Sequence, residues 1–248
     1  MTQLDLSEKH TKTRKHHHSD AVSSRVSPWL RAIVYPLAHY VVLPTYFHSI
    51  DVRGQENLPK SGTVILAPTH RSRWDPILVA YLTGYRVTQR DPRFMTSANE
   101  TTGIQGWIVR RLGAFPVNLN RVGIGSLRHG LELLLQQKML VLFTEGNLFF
   151  IQKNIEKTNP DPEEIYPMKP GLGRLTMQVI EQNPNTDIRI VPMSLRYSTG
   201  TPTWRCDVRV RIGEALDPKA YFDGAPKRSA KRLMAALKER LEILHEVR

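Results

Sequence analysis

The chain has 248 residues, 40% of them apolar, which is enough for a packed core and excludes wholesale disorder. Its formal charge of +12 and pI near 10.0 favour anionic partners without choosing among nucleic acid, lipid headgroups, phosphorylated substrates and acidic carrier proteins. A single cysteine, Cys206, excludes an intrachain disulfide and any cysteine-built metal site, and fits a reducing compartment.

Residues 1–27 are polar and charged, without an apolar run of signal-peptide type, and read as a disordered basic tail in which His16, His17 and His18 are solvated. Residues 28–47, PWLRAIVYPLAHYVVLPTYF, are aromatic and aliphatic but interrupted by Arg31, Pro36, His39 and Pro44. A membrane-spanning helix wants about 20 predominantly apolar residues. The interruptions, and aromatic rings suited to the headgroup level (Trp29, Tyr35, Tyr40, Tyr46), predict a membrane-interfacial helical anchor instead. A buried helix kinked at proline is the alternative.

From residue 48 onward, short apolar runs alternate with helical stretches. Strands are expected at 63–67, 93–97, 114–117, 139–143, 188–193 and 207–212. Helices are expected at 76–83, 104–111, 126–137, 171–181 and 229–245. The helix at 126–137 should bury Leu127, Leu131, Leu134 and Leu135, and the last helix Leu233, Leu237, Leu241 and Leu244. Residues 152–167 read as an exposed polar loop. Alternating strands and helices argue a layered α/β domain over 48–248.

Polar residues collect at the predicted strand ends. In VILAPTHRSRWDPILVAYL, residues 64–82, an apolar run delivers His70, a polar turn follows, and Asp75 precedes Pro76. Five residues on a helix rotate by about 140°, so His70 and Asp75 cannot share a helical face and must straddle a strand-to-helix junction. Pro76 marks the helix start, which places Asp75 at the N-cap. A carboxylate beside an imidazole fixes its tautomer and raises its basicity, as a general base requires. A second strand ends in Thr144, Glu145 and Gly146, where Gly146 permits a turn or close ligand approach, and Glu145 could bind hydroxyls or orient a partner. RRLGAFPVNLNR, residues 110–121, brings arginines suited to phosphate near Gly113, and IVPMSLRY brings a further strand to Pro192.

These motifs together resemble the glycerophospholipid acyltransferases, and in pattern most nearly the 1-acylglycerol-3-phosphate acyltransferases. His70 to Asp75 matches their H-x4-D box, and Phe143-Thr144-Glu145-Gly146 is similar to their F-P-E-G box with threonine for proline. Gly54-Gln55-Glu56-Asn57-Leu58-Pro59 resembles the lead-in to the first box, residues 113–121 the glycine-to-arginine block, Val191-Pro192 the last block, and Lys169-Pro170-Gly171 the lysine and glycine before the next helix. The family's arginine after E-G is absent here, since Asn147-Leu148-Phe149-Phe150 follows.

The resemblance implies a mixed sheet flanked by helices, of the glycerol-3-phosphate acyltransferase type. It implies acyl transfer from an acyl-CoA or acyl-carrier protein to the free hydroxyl of 1-acylglycerol 3-phosphate, giving phosphatidic acid, without metal or cofactor. His70 would be the general base and Asp75 its partner. Arg121, with Arg111 or Lys169 as alternatives, would hold the phosphate; Thr144, Glu145, Gly146 and Pro192 would complete the substrate site. Trp74 and Trp107 would line an acyl cleft or belong to the core. The expected setting is an anionic membrane surface on the cytoplasmic face, without nucleic acid. Two rivals stand beside this reading: the same fold acting on another lysophospholipid or on glycerol 3-phosphate, and a non-enzymatic basic protein that binds membrane or nucleic acid.

Overall fold

Strand β2, Thr63–Pro68, reads TVILAP, and all six residues are buried. Such a run has no solvated face and suits a central strand between parallel neighbours. In the computed structural model, which describes residues 22–117, 124–146 and 165–246, β2 pairs in parallel with β5 (Met139–Val141) and β6 (Ile188–Tyr197). With β1 (Ser49–Arg53), β3 (Arg93–Ser97), β4 (Ala114–Val117) and β7 (Asp207–Ile212) they form one sheet of order β1-β7-β6-β2-β5-β3-β4. Its direction reverses between β6 and β7, so the sheet is mixed, as expected. The C-terminal ends of β5, β2 and β6 lie side by side, and the loops after them share one edge.

Alternation along each strand sorts side chains between two cores. Val64, Leu66, Val191, Met193, Leu195 and Tyr197 face the layer built by α3 (Asp75–Thr83) and the N-terminal helix. Ile65, Ala67, Ile188 and Ile190 face the opposite layer of α6 (Ile124–Leu135), α7 (Gly171–Gln182) and α8 (Pro226–Glu246). Two short helices, α4 (Tyr85–Thr88) and α5 (Gly103–Arg111), complete the α3–β4 region.

The expected strands and helices are present, with informative differences. The sequence predicts no strand at β1: SIDVR alternates, but its outward face carries Ser49, Asp51 and Arg53, which read as loop. Strand β6 runs past its predicted end at Met193 to Tyr197, because β7 pairs with that extension. Strand β5 stops at Val141 rather than residue 143. On α6, Leu127 is exposed, and Ser126, Gly130, Leu133 and Leu134 form the buried face. On α8, Leu233, Leu237 and Leu241 are buried as predicted, while Leu244 is half-buried. The next fully inward position is His245, whose Nδ1 lies 2.7 Å from Ser194 Oγ. The lead-in to β2 is a staple: Gly54 adopts φ +87°, a Cβ there would meet the Ile212 carbonyl, and the Asn57 amide donates to that carbonyl at 2.8 Å. Of the expected polar loop at 152–167, all but residues 165–167 lie outside the described residues.

The N-terminal segment is helical throughout: α1 (Pro28–Leu37) widens into a π turn at Ala38–Val42 and continues as α2 (Leu43–Tyr46). The π turn lies between Pro36 and Pro44, two positions that cannot donate a helical hydrogen bond, and it lets the helix pass them without breaking. Leu30, Leu43 and Phe47 are buried; Trp29, Ile33, Leu37, Tyr40 and Val41 are exposed. Most of the predicted tail lies outside the described residues. Its last residues join the fold: Ser27 N–H donates to Arg111 O, and Val26 bridges Leu112. Among the described residues, no helix is long and apolar enough to cross a membrane.

Candidate active site

The loop between β2 and α3 folds around one carboxylate. Thr69 fixes its start, donating its N–H to Met193 O and accepting Leu195 N–H at Oγ1, both at 2.9 Å. Asp75 Oδ2 then accepts the His70 ring Nδ1–H at 2.9 Å and the backbone N–H groups of Arg71 and Ser72 at 2.5 and 2.7 Å. Asp75 Oδ1 accepts the Tyr197 hydroxyl at 2.5 Å and lies 3.3 Å from Ser72 Oγ. Asp75 is fully buried.

The expectation that Asp75 caps α3 is corrected. Trp74 occupies the N-cap position, and the Asp75 carboxylate turns back onto the loop. The donors decide this: the loop N–H groups converge on Asp75, while Pro76 offers the helix start no N–H. The same turn brings Asp75 to His70 across the junction. In the neutral ring with Nδ1–H donated to a carboxylate, the lone pair is on Nε2. The imidazole stacks on Phe143 at 4.2 Å with 28° between the planes, which fixes one face of the ring.

Glu145, from the loop after β5, forms a second clamp. It accepts His70 N–H at 2.6 Å, Arg71 Nη1 at 3.1 Å on each oxygen and Tyr166 N–H at 3.1 Å, while the Arg71 guanidinium lies 4.1 Å over the Tyr166 ring. Its side chain is fully buried. Burial pushes the Glu145 carboxyl above its ordinary range, against the opposing pull of Arg71 and the two backbone N–H groups. Of the two roles considered for Glu145, the geometry fits orienting a partner: its oxygens are occupied by the loop that carries His70 and by Tyr166 N–H.

The other predicted site residues divide. Thr144 is buried, its carbonyl accepts Lys169 N–H at 2.8 Å, and its Oγ1 has no hydrogen-bond partner among the described residues. Gly146 adopts φ +97°, and a Cβ there would come within 2.8 Å of Lys169 Cε. The exposed Lys169 is thus seated on the Thr144–Gly146 turn, next to the Glu145 clamp. Arg121 lies outside the described residues. Arg111 rests on the exposed Trp107 ring at 4.1 Å. Trp107 also neighbours Trp29, with ring centroids 6.3 Å apart, whereas Trp74 packs on Tyr46 and Phe47. Pro192 is buried against Gly213 on the α8 side of the sheet. Further along the same strand, Tyr197 points to the other side and reaches Asp75.

Tyr197, Ser72 and Arg71 are the site residues that sequence reasoning does not select. The signal for Tyr197 is the alternation MSLRY beyond Pro192, which continues the strand. A groove opens beside the loop, lined by Arg71, Arg196, Tyr197 and Arg209 and also by Asp51 and Asp207, so its charge is mixed.

A family model described as Acyltransferase matches residues 49–196, a span that holds both clamps and ends one residue short of Tyr197. A 1-acyl-sn-glycerol-3-phosphate acyltransferase of Streptococcus pneumoniae (strain ATCC BAA-255 / R6) is 24% identical over 123 residues, which are 48% of this chain and 43% of that protein. The chain therefore matches less than half the length of that relative. The crystal structure of the 1-acyl-sn-glycerophosphate (LPA) acyltransferase PlsC from Thermotoga maritima superposes with a TM-score of 0.60 at 19% identity, covering 88% of this chain and 80% of that one. At that identity the likeness is one of fold.

Proposed function

The chain belongs to the acyltransferase family, and from that premise we propose that it transfers a fatty acyl group from an acyl-CoA or acyl-carrier protein to the free hydroxyl of 1-acylglycerol 3-phosphate. The observation that carries this reading is the His70–Asp75 pair, held at 2.9 Å through Nδ1, which leaves Nε2 free of that contact. His70 Nε2 takes the proton of the acceptor hydroxyl as that oxygen attacks the thioester carbonyl. Asp75 stabilises the imidazolium that forms. The tetrahedral intermediate collapses, the C–S bond breaks, and the imidazolium proton passes to the departing thiolate. The products are phosphatidic acid and the free thiol. This sequence needs neither a covalent acyl-enzyme nor a metal or cofactor.

In this reading Lys169 and Arg121 meet the acceptor phosphate, with the Thr144–Gly146 turn beside it. Glu145 serves by holding the His70 loop. The lipid acceptor would be reached from a membrane surface, with the exposed N-terminal stripe of Trp29, Ile33, Leu37, Tyr40 and Val41 lying in the headgroup region of an anionic leaflet on the cytoplasmic face.

The test is acyl transfer to lysophosphatidate from acyl-CoA and from acyl-carrier protein, comparing wild type with His70→Ala and Asp75→Ala. Phosphatidate formed by wild type and lost in both folded variants supports the reading. Transfer only to other lysophospholipids or to glycerol 3-phosphate would move the acceptor but keep the base. Full activity of His70→Ala would overturn the mechanism.

A further inference from the structure

We propose that Tyr197 is a positioning residue of this reaction, acting through Asp75: its hydroxyl holds Oδ1 so that Oδ2 stays committed to the His70 Nδ1–H. The inference rests on the reading of His70 as the general base and adds a residue to its machinery.

A carboxylate has two equivalent oxygens and a broad, two-fold terminal torsion. Here the two are made inequivalent. Oδ2 takes the imidazole and two backbone N–H groups, while Oδ1 takes Tyr197, with Ser72 Oγ 3.3 Å away. The Tyr197 ring is itself fixed. It is buried at the last position of β6, paired in register with Val208, and stacked on Phe47 at 6.1 Å. Ser72 Oγ, 3.0 Å from the phenol oxygen, ties the same loop to the same strand end. Burial and the Asp75 charge push the phenol well above its usual range, so it remains a donor at any working pH.

The hydroxyl also shares the negative charge of Asp75. Removing it leaves more of that charge to stabilise the imidazolium, so His70 should become more basic. The other titratable or charged groups around the pair are Arg71 and Glu145, which bond each other, and Cys206 beside Tyr197.

The experiment compares wild type, Tyr197→Phe and Ser72→Ala. Tyr197→Phe keeps the ring and its packing and loses only the donor. The expected result is a fall of about ten-fold in kcat with KM unchanged. The acid limb of the pH–rate profile and the His70 ring titration, followed by NMR, should both move up relative to wild type. Ser72→Ala should move the ring titration in the same direction. An unchanged or lowered His70 titration in Tyr197→Phe would overturn the inference. If wild type transferred no acyl group to any acceptor, the functional reading would fall, and the ring titration would still decide the role of Tyr197.

Discussion

The His70 loop and the N-terminal helix use their side chains in opposite ways. In the loop, the backbone N–H groups of Thr69, His70, Arg71, Ser72, Trp74 and Asp75 all end on acceptors within the protein. Along the helix, Trp29, Ile33, Leu37, Tyr40 and Val41 are between 49% and 67% exposed, although each is large and apolar or aromatic. The loop is organised by the chain alone, which is what a site must be if it is to act without rearranging. The helix exposes five large apolar or aromatic side chains, and clustered surfaces of that kind mark interaction sites. On the proposed function the contrast separates chemistry from location: damage to the loop should affect turnover or folding, and damage to the stripe should affect where the protein works.

The largest effect is expected at His70, the proposed base. His70→Ala should lower kcat by about a hundred- to ten-thousand-fold while leaving the circular dichroism spectrum unchanged, because general-base catalysis contributes on the order of 10²–10⁴ and Asp75 keeps the Arg71 and Ser72 N–H groups and the Tyr197 hydroxyl when the ring is removed. Next comes the second clamp. Glu145→Ala would leave Arg71 without its buried counter-charge and His70 N–H without its acceptor, and should cost about 3–5 kcal/mol of stability, read as a lowered urea midpoint. If Glu145→Ala were as stable as wild type and lost only affinity for the acceptor, Glu145 would be a substrate ligand rather than a clamp.

These two sites show what a single sequence reveals. His70 and Asp75 can be paired from sequence because a five-residue spacing cannot share one helical face, and Pro76, directly after Asp75, marks a helix start. The role of Glu145 stays open at that level, since a glutamate at a strand end looks the same whether it meets a ligand or a buried arginine. Only the fold shows that its side chain is enclosed by Arg71, His70 and Tyr166. Tyr197 is hidden because Ser194 and Arg196 break the apolar run after Met193, and the strand's extension depends on pairing with β7, a long-range contact. Strand β1 is hidden for a related reason: its parallel partner β7 lies near the other end of the chain, and its exposed face is charged. The two cores are easier to read, because Leu233, Leu237 and Leu241 repeat at helical spacing and TVILAP is continuously apolar.

The N-terminal stripe predicts a smaller and different change. Ile33→Glu with Leu37→Glu should weaken pelleting with anionic liposomes by about ten-fold or more, because each half-exposed side chain would lose on the order of 1 kcal/mol of burial in the lipid interface. Melting temperature, and turnover on detergent-dispersed substrate, should stay near wild type. A double variant that pellets as well as wild type would remove the stripe from membrane binding.

The smallest effect tests the contrast within the loop itself. Arg71 and Arg73 stand two residues apart in the same box, yet the Arg71 side chain is 4% exposed and Arg73 is 79% exposed. Arg73 pairs with Glu100 at 2.7 Å, an ion pair at the surface, which contributes about 0–1 kcal/mol. Arg73→Ala should therefore leave the urea midpoint almost unchanged, whereas Arg71→Ala should lower it by as much as Glu145→Ala. A weak surface pair can be exchanged for an incoming anion, so a raised KM for lysophosphatidate with unaltered stability would place Arg73 at the acceptor phosphate. An equal loss of stability in the two arginine variants would show that the whole loop, exposed side included, is held as one unit.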